Sequence, residues 1–176
     1  MIDAERFANA TMTIIGANVR ATLEERAAAI GRPFGLEDVE LMTFGMAERS
    51  AHVGSSSYVH AMRTIHALGR EVARFLSRYD VLLTPTMATP PLEIGRLSLS
   101  RTDVEGYRED VVLTIAYTSL LNATGNPAMS VPLFWNGAGL PIGTQFVGRY
   151  GDEATLFRLA AQLEEARPWR DRRPAL

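Results

Sequence analysis

The 176-residue chain contains no lysine, so all eighteen of its basic residues are arginine. An arginine guanidinium stays protonated in proteins and cannot accept a proton as a general base. The absence therefore excludes any mechanism in which a lysine of this chain activates a nucleophile. It also excludes a phosphate-binding loop of the kind that ends in Gly-Lys-Ser or Gly-Lys-Thr, and we expect no bound cofactor.

Cysteine is absent as well. This excludes disulfides, thiolate metal sites and a cysteine nucleophile, and it fits the reducing cytoplasm, where we expect the protein to act. No apolar run approaches the length of about 18 residues that a membrane span needs. Because the formal net charge is −2, there is no general attraction to nucleic acid or to an anionic membrane, and we expect neither as a partner.

Helical periodicity dominates the first half of the chain. Apolar residues recur at helical spacing over residues 3–30, and Gly31-Arg32-Pro33 is typical of a helix end. A second helix is predicted from about Leu36 to Ala51. A third follows Ser55-Ser56-Ser57, whose hydroxyls are candidate N-caps, and its apolar stripe continues to Tyr79.

The second half mixes strands and helices. The predicted elements are a strand over 80–84 buried on both faces, a loop over 85–103, a helix over 105–121, strands over 128–134 and 142–147, and a last helix capped by Asp152. We expect an α/β fold that is part of an α/β/α sandwich with a mixed sheet and a helical first half. Residues 1–176 would form a single incomplete domain, with a helical part (1–79), a strand-helix-strand-strand-helix part (80–170) and a tail (171–176). Three such apolar strands are few for a covered sheet, so a covering partner or a homo-oligomer is expected.

Three sets of polar residues are candidates for chemistry. Gly54 and the serines after it lack the preceding strand and the following glycine of a nucleophile elbow, which favours a helix start. His60 and His66 would lie on different faces of one helix, which disfavours a shared metal. Asp80 is either a catalytic carboxylate or a residue that secures a helix–strand junction, and the second is favoured. We therefore predict no catalytic residue and no metal ligand.

The segment from Asn122 to Pro132 carries a stronger signal. Gly125 tolerates a positive φ and Pro127 restrains the residue before it, which indicates a helix-to-strand corner. Short polar side chains and free backbone groups at such a corner suit a pocket wall. From the residues alone, a purely structural corner fits equally well.

Four blocks in order resemble the amidase signature family: Tyr79–Thr86, Asn122–Pro132, Gly139–Gly148 and Asp152–Leu156. Trp135 and the ending Ala161–Trp169 are most similar to the branch that contains the 6-aminohexanoate cyclic dimer hydrolases. The resemblance covers most of residues 58–170 and corresponds to the C-terminal portion of a family member.

The resemblance implies hydrolysis of carboxamides by a serine nucleophile, a second serine in a cis peptide and a lysine, all in the N-terminal half of a complete enzyme. Ser55–Ser57 do not match that nucleophile. What carries over is one wall of the substrate pocket, with these substrate-binding candidates: Tyr117, Thr118, Leu120, Asn122 and Trp135. For each of them, core packing is the alternative.

The function expected from the resemblance is that of the C-terminal part of an amidase, inactive alone. We expect an N-terminal amidase half as a partner, and a small-molecule amide as substrate only in the complete enzyme. Two alternatives stay open. In the first, the chain is a non-catalytic structural subunit. In the second, it is a self-associating remnant without activity, which would form a homo-oligomer.

Overall fold

The computed structural model describes residues 2–174, within which six helices alternate irregularly with three strands. In chain order they are α1 (Ala4–Ile30), α2 (Leu41–Arg49), α3 (Ser55–Leu76), β1 (Leu82–Pro85), α4 (Val104–Ile115), α5 (Ser119–Thr124), β2 (Ala128–Trp135), β3 (Pro141–Val147) and α6 (Glu153–Ala166). In this part of the chain, no helix has both the length and the apolar character to cross a membrane.

The chain divides into two compact units. One combines the residues up to Leu68 with Ile94–Asp110, and the other combines Gly69–Glu93 with the residues from Val111 onward. Two of the three boundaries fall inside α3 and α4, so each of these helices contributes residues to both units, and the third lies between Glu93 and Ile94.

The predicted helix ends at the two extremes of the chain are confirmed. The Asp3 carboxylate accepts a hydrogen bond from the backbone N–H of Arg6 at 3.0 Å and caps α1, which ends at Gly31 with a φ of 74°. Asp152 caps α6 in the same way, through the backbone N–H of Thr155 at 3.3 Å. Side-chain oxygens at these two positions therefore fix where the helices begin.

Three helical predictions need correction. The second helix starts at Leu41 rather than Leu36, because the preceding residues form turns. Ser55 is already helical, so Ser55–Ser57 form the first turn of α3 instead of preceding it. The single helix predicted over 105–121 is two helices, α4 and α5, which are separated by a turn over 116–118. Because apolar residues keep their helical spacing across that turn, the sequence pattern does not indicate the break.

The three strands form one antiparallel sheet in the order β1-β3-β2. The predicted α/β fold is confirmed, while all pairs among the described strands are antiparallel, without the parallel pair that a mixed sheet contains. The β2–β3 register shifts between Val131 and Phe134, around Pro132. Proline has no N–H to donate to the ladder, which explains the gap in pairing at Pro132.

One face of the sheet packs against α6. Val131, Leu133 and Phe146 from the sheet form a buried cluster with Leu156 of α6. Strand β1 is less covered than predicted, because Leu83 is 60% exposed. Within the described residues, β1 is an edge strand of the sheet, and Leu83 lies on the same face as its cross-strand partner Phe146.

In the other unit, α1 packs closely on α2. Gly16 makes this possible, since a Cβ at this position would overlap the Ser50 Oγ. The Arg20 guanidinium donates to the carbonyl of Ala47 at 3.3 Å and forms an ion pair with Glu24 at 2.7 Å. The small residue and the arginine together hold the two helices side by side.

A charged network connects the loop before α4 to the helix itself. The Asp110 carboxylate, only 6% exposed, accepts two hydrogen bonds from the Arg96 guanidinium at 2.8 and 3.0 Å and one from Arg101 at 2.7 Å. Arg101 also bonds Asp103 at 2.7 Å. The pKa of Asp110 is lowered to about 2. The hydrogen bonds from Arg96 contribute most to this decrease, and the hydrogen bond from Arg101 contributes next.

This lowered pKa predicts a specific loss of stability in acid. An unfolded aspartate titrates near pH ~3.9, so the contribution of Asp110 is complete above that pH and disappears as the pH falls toward about 2. We expect Asp110→Asn to lower the free energy of unfolding at pH 7 and to flatten its decline between pH 5 and 2.5, as measured by urea denaturation. Asp171→Asn, in the exposed tail, is the matched control. An equal acid slope in Asp110→Asn and the parent chain would contradict this role.

Candidate substrate-pocket wall

The wall segment, residues 117–122, runs from the break after α4 into α5. The backbone N–H of Thr118 donates to the carbonyl of Ile115 at 3.1 Å, which closes the turn that ends α4. Tyr117 is 40% exposed and Asn122 is exposed, while Thr118 and Leu120 are half-buried. Four of the five predicted pocket residues therefore lie together, with two of their side chains open to the surroundings.

Beneath this segment, a polar row crosses the sheet on the face opposite α6. The row consists of Thr84, Gln145 and Ser130, which are direct cross-strand partners and so point to one face. Phe146, the next residue of β3, points to the α6 side. The buried Gln145 amide donates to the Thr84 Oγ1 at 3.0 Å and to the carbonyl of Tyr117 at 2.9 Å. The polar row is thus bonded directly to the wall segment.

A pair of hydroxyl groups continues the polar surface next to this row. The Thr86 Oγ1 and the Ser130 Oγ lie 2.6 Å apart and share a hydrogen bond. They meet over Gly143 of the central strand, where a Cβ would lie 2.6 Å from both oxygens. Any side chain at this position would displace the pair, which explains the glycine.

The corner after α5 is fixed by backbone and side-chain bonds. Gly125 has a φ of 76°, and its N–H donates to the carbonyl of Leu121 at 2.9 Å. The Asn126 side chain accepts from the Thr124 hydroxyl at 2.9 Å and donates to the carbonyl of Gly148 at 3.1 Å. These contacts confirm the predicted corner and bond the chain just after the wall segment to Gly148, the residue that follows β3.

Trp135, the fifth predicted pocket residue, lies elsewhere on the sheet. It pairs with Pro141 at the hairpin end of β3, four residues or about 13 Å along the strand from Gln145 at the usual rise per residue. The Arg172 guanidinium stacks over its ring at 4.7 Å, and its indole N–H is buried with no hydrogen-bond partner among the described residues. The structure therefore does not bring Trp135 together with the wall segment.

The remaining polar candidates are Asp80 and the histidines. Asp80 accepts from the Arg149 guanidinium at 3.1 Å, and Arg149 also donates to the carbonyls of Leu76 and Tyr79 at the end of α3. This confirms the preferred interpretation of Asp80 as part of a helix–strand junction. Across residues 2–174, no group of three or more histidine and carboxylate side chains is placed to hold a metal ion.

Comparisons with known proteins place the chain in a family. A family model described as Amidase matches residues 2–157. The 6-aminohexanoate-cyclic-dimer hydrolase of Pseudomonas sp. strain NK87 is 34% identical over 171 residues, which covers 94% of this chain and 35% of that protein. The hydrolase of the same name from Paenarthrobacter ureafaciens is 34% identical over 171 residues, with 93% and 34% covered. A solved structure of 6-aminohexanoate cyclic dimer hydrolase matches with a TM-score of 0.85 at 33% identity, over 96% of this chain and 36% of that one.

The chain therefore belongs to the amidase family, and the resemblance that its sequence motifs indicated is confirmed. It spans about a third of the length of the curated relatives that it matches, which fits the predicted C-terminal portion of such an enzyme.

Proposed function

We propose that the chain is the C-terminal part of an amidase-signature hydrolase that cleaves the C–N bond of a carboxamide. In this proposal the chain supplies a wall of the substrate pocket. The serine, cis-serine and lysine of the reaction belong to an N-terminal portion outside these 176 residues. The observation that carries the proposal is the wall segment itself, which presents open polar and aromatic side chains while Gln145 and the corner hold it to the sheet.

The chemistry of this wall suits an amide with apolar flanks. The Asn122 side chain offers one acceptor and two donor hydrogens, which match the N–H and C=O of an amide group. Tyr117 and Leu120 offer an aromatic and an aliphatic surface beside it. The relatives are named for the cyclic dimer of 6-aminohexanoate, which contains two amide groups separated by methylene chains. A wall of this kind would hold the second amide while the first is hydrolysed.

A chimera tests the proposal. The N-terminal portion of the Paenarthrobacter ureafaciens hydrolase, up to the start of its match with this chain, is fused to residues 1–176. In this chimera, Asn122→Ala should raise the KM for the 6-aminohexanoate cyclic dimer about three- to tenfold, the equivalent of one lost hydrogen bond. The kcat should change less, because Asn122 is remote from the bond that breaks in this proposal.

Asn9→Ala is the matched control, since Asn9 is an exposed asparagine on α1. It should leave both kinetic constants at the parent values. An Asn122→Ala chimera with the parent KM would contradict the wall assignment. It would favour the alternative in which the corner has only a structural role.

A further inference from the structure

We propose that Gln145 is the positioning residue that fixes the wall segment, by holding the Tyr117 carbonyl at a set distance from the sheet. This inference rests on the proposed function for its consequence in catalysis, but its structural part can be tested on the chain alone. Gln145 is one of two glutamines in the sequence, and it lies in the middle of the central strand.

The hydrogen bonds of Gln145 leave its orientation no freedom. A backbone carbonyl can only accept, so the amide nitrogen of Gln145 must face Tyr117 at 2.9 Å. The second amide hydrogen is donated to the Thr84 Oγ1 at 3.0 Å. The Thr84 hydroxyl in turn donates to the carbonyl of Pro85 at 2.9 Å, so it presents a lone pair to Gln145. Both donors of the amide are therefore committed.

The position of Tyr117 makes this bond important for the wall. Tyr117 lies in the break between α4 and α5, where the regular helical hydrogen-bond pattern is interrupted. Gln145 is only 4% exposed and its bond to the Tyr117 carbonyl is partly buried, so a carbonyl that lost this bond would have to find another donor or move toward water. Removing the donor would therefore release the segment that carries Tyr117 and Thr118.

Two substitutions separate positioning from the filling of space. Methionine is about as long as glutamine and fills the same volume, but it has no N–H to donate. In Gln145→Met we expect amide hydrogen exchange over residues 116–122 to become roughly tenfold faster, as measured by mass spectrometry on the 176-residue chain. Exchange in the core of α3 should change much less. Gln162→Met, at an exposed position on α6, should leave the wall segment unchanged.

Gln145→Glu adds a pH-dependent readout that a residue with a merely space-filling role would not give. An ionised carboxylate only accepts hydrogen bonds, so at neutral pH it repels the Tyr117 carbonyl. Burial raises the pKa of a carboxylic acid, and the protonated form regains an O–H that can donate. After correction for intrinsic exchange, protection of residues 116–122 in this variant should rise again as the pH falls from 7 to 5. If Gln145→Met fails to fold, this pH comparison decides alone.

The outcomes distinguish the two claims. The positioning role would be overturned if the wall segment exchanged in Gln145→Met as it does in the parent chain. It would also be overturned if protection of residues 116–122 in Gln145→Glu did not change with pH. In the chimera, a positioning role at a substrate wall predicts a severalfold higher KM for Gln145→Met, with a smaller change in kcat. Faster exchange combined with an unchanged KM would keep Gln145 as a positioning residue and would contradict the proposed function of the segment.

Discussion

The purified chain alone is expected to hydrolyse no carboxamide, with a rate at least about 10⁶-fold below that of a complete amidase, the lower end of typical enzymatic accelerations. Serine–lysine chemistry needs a neutral amine that takes the proton of the serine, and the chain has no lysine to supply it. Its arginines cannot replace that amine, because they remain protonated. The measurement is release of amine from the 6-aminohexanoate cyclic dimer and from a nitroanilide at high protein concentration.

Ser56→Ala is the control for this prediction. Ser55–Ser57 form the exposed first turn of α3, so the substitution should change nothing. Turnover by the parent chain that Ser56→Ala abolishes would place a nucleophile in that turn. It would then contradict both the location of the chemistry and the structural interpretation of these serines.

The largest expected effect on stability comes from Leu76→Ala. Leu76 is 0% exposed at the end of α3, next to the junction that Arg149 forms with the helix. Removing a buried leucine side chain leaves a cavity and costs about 2–5 kcal/mol of unfolding free energy. Urea denaturation monitored by circular dichroism should show this decrease directly.

Leu83→Ala makes the same chemical change at a position that is 60% exposed. It should alter the unfolding free energy by less than about 1 kcal/mol, as surface substitutions usually do. Equal losses for the two variants would show that the Leu83 side chain is covered in solution. Such a result would support the predicted homo-oligomer, which stays a prediction, as does the cytoplasmic location.

Much of the fold could be predicted because short stretches of sequence determine where several helices and strands begin and end. Asp3 and Asp152 cap helices through their own side chains, and the two runs separated by a turn-rich segment predict β2 and β3 to within one residue at each end. The local pattern does not predict the break between α4 and α5, because helical spacing continues across it. A long-range contact is present there, since the Tyr117 carbonyl accepts from a side chain 28 residues further along the chain.

The candidate site rests on the resemblance. Tyr117, Thr118, Leu120 and Asn122 are its substrate-binding candidates, and their contact with substrate stays a prediction. Gln145 is not among these candidates, although an amide in the middle of a strand that also carries Ile142, Phe146 and Val147 indicates a buried hydrogen-bond partner. The Thr86–Ser130 pair could not be predicted, because it depends on how three strands align.

The amidase activity of the chimera, compared with that of its parts, tests most directly whether this chain completes an amidase. The 176-residue chain and the N-terminal portion of the Paenarthrobacter ureafaciens hydrolase are each assayed alone with the 6-aminohexanoate cyclic dimer, and then as one fused protein. We predict no hydrolysis by either part and restored hydrolysis by the chimera, lost again when the catalytic lysine of the N-terminal portion is replaced. A folded chimera that remains inactive would contradict the claim that this chain completes an amidase.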